Sequence, residues 1–107
     1  MQYDNRMDPQ CIALCDAMNK HDGIETFESC CGHSVNRYLI FFTVKDVQNL
    51  APILNVRAGL RKRWHLWNII ATGPPGCEKV YFCLEGPKGE KAYRDAYRMA
   101  KFLIKEN

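Results

Sequence analysis

Residues 38–42 read YLIFF, the longest apolar run in the chain. The run has the length of a β-strand and is far shorter than the roughly 18 residues that span a membrane. A strand buried on one face alternates apolar and polar residues, and this run does not alternate. It therefore predicts a strand covered on both faces, by helices of the same chain or by a second copy. We expect a homodimer or a higher homo-oligomer and no membrane partner.

The segments around this strand predict an α+β protein with the order α-ββ-α-ββ-α. Asp8-Pro9 is a typical helix start, Gly23 is a typical helix end, and Asp46 can cap a second, short helix that contains Pro52. The predicted strands are 24–30, 38–44, 64–71 and 80–84, with residues 86–89 ending the last of them, and the final helix covers 90–105. This order is consistent with a four-stranded, mostly antiparallel sheet packed by helices.

A length of 107 residues indicates a single domain over residues 1–107. Residues 8–45 and 46–86 each contain a helix followed by a hairpin with a long loop, which indicates a pseudo-repeat closed by helix 90–105. In that helix the basic residues are expected to form a solvated face. The residues predicted to face inward are Tyr93, Ala96, Tyr97, Ala100, Leu103 and Ile104.

Six cysteines are many for so short a chain. The N-terminus has neither the basic start nor the apolar segment of a signal peptide, so we expect a cytoplasmic protein with reduced thiols. Cys11 and Cys15 fall one turn apart on the apolar face of the first helix, and Cys83 falls in a strand. Packing explains these three, whereas Cys30 and Cys31 lie in a polar segment.

Charge is divided unevenly along the chain, although the net charge is only +3. Residues 1–56 contain 4 Lys or Arg and 7 Asp or Glu, which gives a net charge of −3. Residues 57–107 contain 11 Lys or Arg and 5 Asp or Glu, which gives a net charge of +6. This polarity favours an anionic partner. Residues 57–65 place Arg63 and Trp64 in a basic segment suited to phosphate contact and base stacking, so a nucleic acid is a second partner class. The alternative is a solvated helix end with Trp64 entering the core.

Residues 26–34, TFESCCGHS, form the densest group of polar and reactive side chains. They run from a strand end into a loop, where ligand-binding groups are commonly displayed. Gly32 lets the backbone approach a ligand, and successive amides there can cradle a phosphate, with His33 and Arg37 adding charged donors. The predicted ligand-binding residues are Thr26, Ser29, Cys30, Cys31, Gly32, His33, Ser34 and Arg37, with Arg63 and Trp64 from the basic segment.

Two other interpretations of the same loop remain open. In the first, thiolate and imidazole groups bind zinc, although no Cys-x2-Cys pair occurs. The zinc ligands are then Cys30, Cys31, His33 and Cys77. In the second, one of the two adjacent cysteines is a nucleophile activated by His33 or His65, with Glu28 orienting the imidazole.

The pattern Thr-x-x-Ser-Cys-x-Gly, formed here by Thr26, Ser29, Cys30 and Gly32, resembles the motif of the Tyw3 family of wybutosine synthesis. His33 stands where that family has Arg, and the resemblance covers residues 8 to about 46. It implies an α/β domain that uses S-adenosylmethionine to modify a guanosine of transfer RNA. The segment Phe-x-Ser-Cys-Cys-Gly-His is also similar to one found in short bacterial and phage proteins.

These observations favour a small binding protein over an enzyme. It is expected to hold a nucleotide or another phosphate-bearing ligand at the loop 26–37, without a cofactor. A phage protein that sequesters a nucleotide signal in the host cytoplasm is one such function, by analogy. The alternatives are a Tyw3-like enzyme that uses S-adenosylmethionine and a zinc-stabilised interaction module.

Overall fold

The computed structural model of the chain describes residues 7–73, 76 and 79–106. Its elements follow the predicted order α-ββ-α-ββ-α. The helices are α1 (Pro9–Asn19), α2 (Ala51–Ala58) and α3 (Glu90–Glu106), and the strands are β1 (Ile24–Cys30), β2 (Arg37–Val44), β3 (Asn68–Thr72) and β4 (Tyr81–Lys88). Short 3-10 helices cover Gly32–Ser34, Val47–Leu50 and Arg61–Leu66. None of the described helices is long and apolar enough to cross a membrane.

The four strands form one antiparallel sheet in the order β1-β2-β4-β3, which confirms the predicted α+β fold. The second strand of each hairpin lies in the centre of the sheet, and the first strand of each lies at an edge. β2 and β4 pair with each other from Arg37 and Lys88 to Phe42 and Phe82. The two hairpins are therefore arranged symmetrically, as expected if residues 46–86 repeat the structure of residues 8–45. The duplication itself stays a prediction.

One face of the sheet carries the hydrophobic core. Tyr38, Ile40 and Phe42 alternate along β2, are fully buried, and belong to one cluster with side chains from all three helices. α1 packs against α3 and β1, and α3 packs against α2 and β4. The Tyr38 hydroxyl donates to the carbonyl of Gln10 at 2.8 Å, so its polar end is satisfied inside the core. Each large apolar side chain buried here stabilises the fold by about 1.5–3 kcal/mol.

The opposite face, called the open sheet face below, carries the side chains that alternate with the core residues. On β2 these include Leu39 and Phe41, which are half-buried and lie outside the core cluster. A β-bulge in β1 at Phe27 directs the side chain of Phe27 to this face. Its ring contacts Phe41 and Tyr81, and Phe27 is 54 % exposed. The described helices therefore cover one face of β2, and the second copy expected on the other face stays a prediction.

The third strand begins later than its apolar residues predict. The predicted strand covers 64–71, whereas β3 begins at Asn68 and the residues before Trp67 form a 3-10 helix. Two side-chain bonds explain the difference, because Arg63 and Trp67 both donate to the carboxylate of Asp95 on α3. These bonds tie the segment to the helix layer, so it joins the sheet only after Trp67.

The fourth strand continues beyond its predicted end at Leu84, through Gly86 and Pro87. A β-bulge places these two residues opposite a single residue of β2, and β3 pairs with β4 only as far as Glu85. Pro87 is tolerated because a bulge removes the need for a regular ladder bond. Gly86 is required because the ring of Trp67 lies 2.6 Å from where its Cβ would be. Residues 86–88 thus extend the strand that they were expected to end.

The inward face of α3 is also rotated from the predicted one. Ala96, Ala100 and Leu103 are buried as predicted, but Tyr97 and Ile104 are 56 % and 53 % exposed. The fully buried stripe of the helix consists of Ala92, Asp95, Ala96, Met99, Ala100 and Leu103. Tyr97 therefore lies at the border between the core stripe and the basic face.

Cys11 and Cys15 belong to the core cluster, as predicted, whereas Cys83 is buried outside that cluster, beside Phe41 and Ile70 on the open sheet face. Cys11 and Cys15 on α1 are fully buried, and Cys83 on β4 is 5 % exposed. Burial raises the pKa of the Cys11 and Cys83 thiols to about 11 and that of Cys15 to about 12. Because the thiolate is the reactive form, these three cysteines are inert packing residues.

Candidate functional site

The loop between β1 and β2 has an unusual backbone. Gly32, His33 and Ser34 have φ angles of 78°, 51° and 66°, three successive residues in the left-handed region. The left-handed conformation costs about 1–2 kcal/mol for a residue with a side chain, so two of these positions are strained. Such strain persists only where neighbouring contacts hold it, and it is common at functional sites.

The amides of this loop are engaged within the chain. All six successive N–H groups from Cys31 to Asn36 donate hydrogen bonds. The acceptors, in order, are the Asp8 carboxylate, the Sγ atoms of Cys30 and Cys31, the Tyr93 hydroxyl and, twice, the Gly32 carbonyl. The loop therefore lacks the free row of amides that the sequence predicts, and its side chains are the groups left to bind a ligand.

Asp8, Cys31 and His33 form a compact cluster at the start of this loop. Asp8 precedes α1 as predicted, but its side chain makes no cap bond to that helix. Its Oδ2 accepts the Cys31 amide at 2.9 Å and lies 4.0 Å from His33 Nε2, while His33 Nδ1 lies 3.9 Å from Cys31 Sγ. The hydrogen bond from the Cys31 amide holds the pKa of Asp8 below the ordinary aspartate range, despite partial burial.

Thr26 and Ser29 point away from the loop cluster and into the protein. Thr26 is 3 % exposed, and its amide and hydroxyl are bonded at 2.8 Å to the side chain of Asn19. Ser29 pairs with Ile40 and so lies on the core face of β1, where its buried hydroxyl oxygen has no hydrogen-bond partner among the described residues. The structure thus gives Thr26 a role in joining α1 to β1.

Arg37 lines a cavity at the end of the sheet. Its Nη1 donates to Oε1 of Glu85 at 2.7 Å. The cavity measures about 380 Å³, and its polar lining also includes His65, Asn68 and Lys88. His65 belongs to the basic segment 57–65, so the fold brings this segment and the β1–β2 hairpin together at one end of the sheet.

Arg63 and Trp64 have different surroundings, although both were predicted to contact a ligand. Arg63 holds the buried carboxylate of Asp95 with Nε at 2.8 Å and Nη2 at 2.7 Å, and this bonding raises the pKa of Arg63. Trp64 is 48 % exposed and carries the guanidinium of Arg57 at 4.9 Å from its ring centre. Trp64 therefore stays at the surface, and Trp67 occupies the core instead.

A groove of about 510 Å³ lies between α1 and α3. We call it the tyrosine groove. Its lining residues are Pro9, Gln10, Ala13, Leu14, Tyr93, Arg94, Tyr97 and Arg98. The surface of this groove is mainly apolar, with guanidinium groups at its border. Tyr93 also accepts the Ser34 amide at 3.0 Å, which attaches the predicted loop to the groove wall.

A second groove lies on the other side of Arg94 and Arg98 and is lined by charged residues. It measures about 360 Å³, and we call it the cationic groove. Its lining residues are Arg63, Lys91, Arg94, Asp95 and Arg98. Among the described residues no carboxylate lies within ion-pair distance of Lys91, Arg94 or Arg98. Three uncompensated cations therefore stand beside an aromatic groove.

The sequence contains the signal for these grooves. Tyr93 and Tyr97 are one helical turn apart, and so are Arg94 and Arg98. The prediction assigned the tyrosines to the core and the arginines to solvent, so the border between the two stripes was missed. A second signal was Pro9 and Ala13 on α1, whose small side chains leave room between the helices.

Comparison of the chain with protein-family models, curated proteins and solved structures found no match. The resemblance to the Tyw3 family rests on Thr26, Ser29, Cys30 and Gly32. That resemblance, and the S-adenosylmethionine chemistry that it implies, stay predictions. The predicted zinc ligand Cys77 lies outside the described residues.

Proposed function

We propose that the protein binds a nucleotide, or a related ligand that joins an aromatic ring to phosphate, across the tyrosine and cationic grooves. The observation that carries this proposal is the position of Arg94 and Arg98, which line both grooves and have no carboxylate partner among the described residues. The proposal keeps the ligand class predicted from the sequence. It moves the site from the amides of loop 26–37 to the helix pair α1 and α3.

The tyrosine groove suits the aromatic part of such a ligand. Its volume of about 510 Å³ lies in the range of about 300–1,000 Å³ that is usual for small-molecule sites. Tyr93 and Tyr97 line it with aromatic rings, although Lys101 Nζ covers one face of Tyr97 at 4.8 Å from the ring centre. Ala13 of α1 adds apolar surface. Stacking of a base on an aromatic side chain contributes about 1–3 kcal/mol and tolerates different bases.

The cationic groove suits the phosphates. Lys91, Arg94 and Arg98 are spaced three and four residues apart, so they share one stripe of α3. Like charges at this spacing repel each other, and a bound phosphate relieves that repulsion. Arg63 lines the same groove, but its guanidinium is already bonded to Asp95. The three free cations are therefore the phosphate contacts that we propose.

The composition of the tyrosine groove favours binding over turnover. Among the described residues that line it, none is His, Cys, Asp or Glu, the side chains that most often serve as nucleophile or general base. A protein that binds a nucleotide without converting it removes that nucleotide from solution. Sequestration is therefore the role that we propose for this site.

A thermal-shift series can test the proposal. We expect nucleoside phosphates, including cyclic dinucleotides and ADP-ribose derivatives, to raise the Tm by mass action, and to do so more than inorganic pyrophosphate or a nucleoside alone. Arg98→Ala should weaken binding by about 1.5–3 kcal/mol, because it removes a charge-assisted contact.

The matched control is Lys105→Ala, which removes one positive charge from the same helix, about 10 Å further along its axis. This variant should bind like the parent protein. Equal losses in Arg98→Ala and Lys105→Ala would show that only the general charge of the helix matters. If no nucleoside phosphate stabilises the parent protein, the proposed function is wrong.

We also propose that the open sheet face pairs with the same face of a second copy. Phe27 and Ile70 are 54 % and 43 % exposed there, and Phe41 and Tyr81 are half-buried beside them. Sheets pack face to face at about 10 Å, and an apolar face is its own natural complement. The strands have 7, 8, 5 and 8 residues, so roughly fourteen side chains point outward.

Fourteen side chains are fewer than the about 20–30 that each partner contributes to a stable interface. The proposed dimer is therefore weak, with a Kd of about 10–100 µM. Glu25 and Glu28 are exposed on β1 at one edge of the face, whereas the outward residues of β3 are uncharged. A two-fold axis parallel to the strands places β1 of one copy over β3 of the other and keeps these carboxylates apart.

Sedimentation velocity at rising concentration tests the dimer. The parent protein should sediment faster as its concentration passes through the expected Kd, whereas Phe27→Ser should remain a monomer. The control is Ile104→Ser, since Ile104 is similarly exposed at 53 % but lies on α3. A parent protein that stays monomeric at about 500 µM would exclude a dimer of this strength.

A further inference from the structure

The cluster at the start of the β1–β2 loop combines three kinds of metal-binding side chain. The carboxylate of Asp8, the thiol of Cys31 and the imidazole of His33 place their ligand atoms within 4.8 Å of one another. Asp8 comes from the residue before α1, and the other two come from the loop, so the cluster joins segments 23 residues apart. The thiol of Cys30 lies beside the same carboxylate.

The loop holds both sulfur atoms in place. The amide of Gly32 donates to Cys30 Sγ, and the amide of His33 donates to Cys31 Sγ, each at 3.4 Å. Hydrogen bonds from the surrounding protein orient metal ligands and balance their charge. The bond from the His33 amide is therefore already placed to support a metal-bound thiolate at Cys31.

The strained backbone brings the imidazole to the cluster. His33 adopts φ 51° and ψ 36°, the left-handed conformation, between Gly32 and Ser34 with φ of 78° and 66°. In this conformation the ring lies beside both the Cys31 thiol and the Asp8 carboxylate. A metal ion bound by His33 would repay the strain, because it binds the folded loop alone.

We propose that Asp8, Cys31 and His33 bind a zinc-type divalent cation, with solvent completing the coordination on the exposed side of His33. A tetrahedral site with Zn–S and Zn–N distances of about 2.3 and 2.0 Å places its ligand atoms roughly 3.3–3.8 Å apart. His33 lies 3.9 Å from Cys31 Sγ through Nδ1 and 4.0 Å from Asp8 Oδ2 through Nε2, and only one of these nitrogens can bind the ion. Ligand atoms that now lie within 4.8 Å of one another must therefore move closer by up to about 1.5 Å. Thiolate and imidazole ligands select zinc over magnesium or calcium.

Burial distinguishes this site from a catalytic thiol. Cys31 is only 2 % exposed, so a substrate cannot approach its sulfur atom. The side chain of His33 is 71 % exposed, so a cation can enter from its side. The cluster thus fits a structural metal site that fastens the loop to α1 and is separate from the tyrosine groove.

Titration of the chelator-treated protein with Zn²⁺ and Co²⁺ tests the proposal. We expect one Zn²⁺ per chain by native mass spectrometry, a rise in Tm, and a sulfur-to-cobalt charge-transfer absorption with Co²⁺. His33→Gly should lower the affinity for Zn²⁺ by about 100-fold or more. The metal-free variant should nevertheless be at least as stable as the parent, because glycine relieves the left-handed strain.

The matched control is Ser34→Gly, which relieves the same kind of strain and keeps every ligand. It should bind Zn²⁺ like the parent protein. Equal losses in the two variants would assign the effect to loop conformation and overturn the proposal, as would a parent protein that takes up no stoichiometric Zn²⁺. Cys31→Ser should abolish the charge-transfer absorption, and its persistence would also overturn the proposed ligand set.

Discussion

Replacing Asp95 with alanine is expected to lower the free energy of unfolding by about 3–5 kcal/mol, because it leaves a charged partner without its counter-ion. Asp95 is 2 % exposed and accepts hydrogen bonds from the guanidinium of Arg63 and from Trp67 Nε1. It therefore joins α3 to the segment that leads into β3. Urea denaturation followed by circular dichroism measures the loss.

Glu90→Ala is the control for this prediction, since it removes an exposed carboxylate from the first turn of the same helix. This substitution should lower the free energy of unfolding by no more than about 1 kcal/mol. Asp95→Asn should fall between the two, because an amide oxygen still accepts from Trp67 but carries no charge for Arg63. A loss below about 1 kcal/mol in Asp95→Ala would contradict the structural role of this network.

Replacing Gly86 with alanine is expected to destabilise the protein by about 3 kcal/mol or more, at the upper end for overpacked cores. The added Cβ would lie 2.6–2.8 Å from three ring atoms of Trp67, which is completely buried. A rigid indole that is also bonded to Asp95 cannot move aside without breaking that bond. The same denaturation experiment gives the size of the effect, and the near-ultraviolet spectrum of Trp67 should change with it.

Gly59→Ala provides the comparison for Gly86→Ala. Gly59 follows α2 with a helical φ of −66°, and the nearest atom to an added Cβ is the Val56 carbonyl oxygen at 3.2 Å. This substitution should change the free energy of unfolding by less than about 1 kcal/mol. If Gly86→Ala is as well tolerated, the packing of Trp67 against β4 is not the reason for glycine at this position.

The parts of the fold that depend on local signals could be predicted from the sequence. Asp8-Pro9 marks the start of α1, and the apolar residues of 38–44 mark β2, because caps and hydrophobic runs act over a few residues. The ends of β3 and β4 could not be predicted in this way. They depend on contacts of Trp67 with Asp95, 28 residues away, and with Gly86, and no local pattern contains such contacts.

The candidate sites likewise combine features that local sequence signals predict with features that only the fold creates. Cys31 and His33 are two residues apart and were predicted to belong together, whereas Asp8 joins them only through the fold. The tyrosine groove requires the exact rotation of α3 against α1, which a helical repeat alone does not give. Amide donors were predicted to be free in loop 31–36 because the sequence does not reveal the internal acceptors that satisfy them.

The irregular edges of the sheet have a consequence for the solubility of the protein. β1 is interrupted by the bulge at Phe27, and β3 has only 5 residues. Bulged and short edge strands are poor templates for a further strand, so they resist the open-ended sheet growth that leads to fibrils. The pairing that we propose through the open sheet face therefore closes at two molecules instead of continuing into an aggregate.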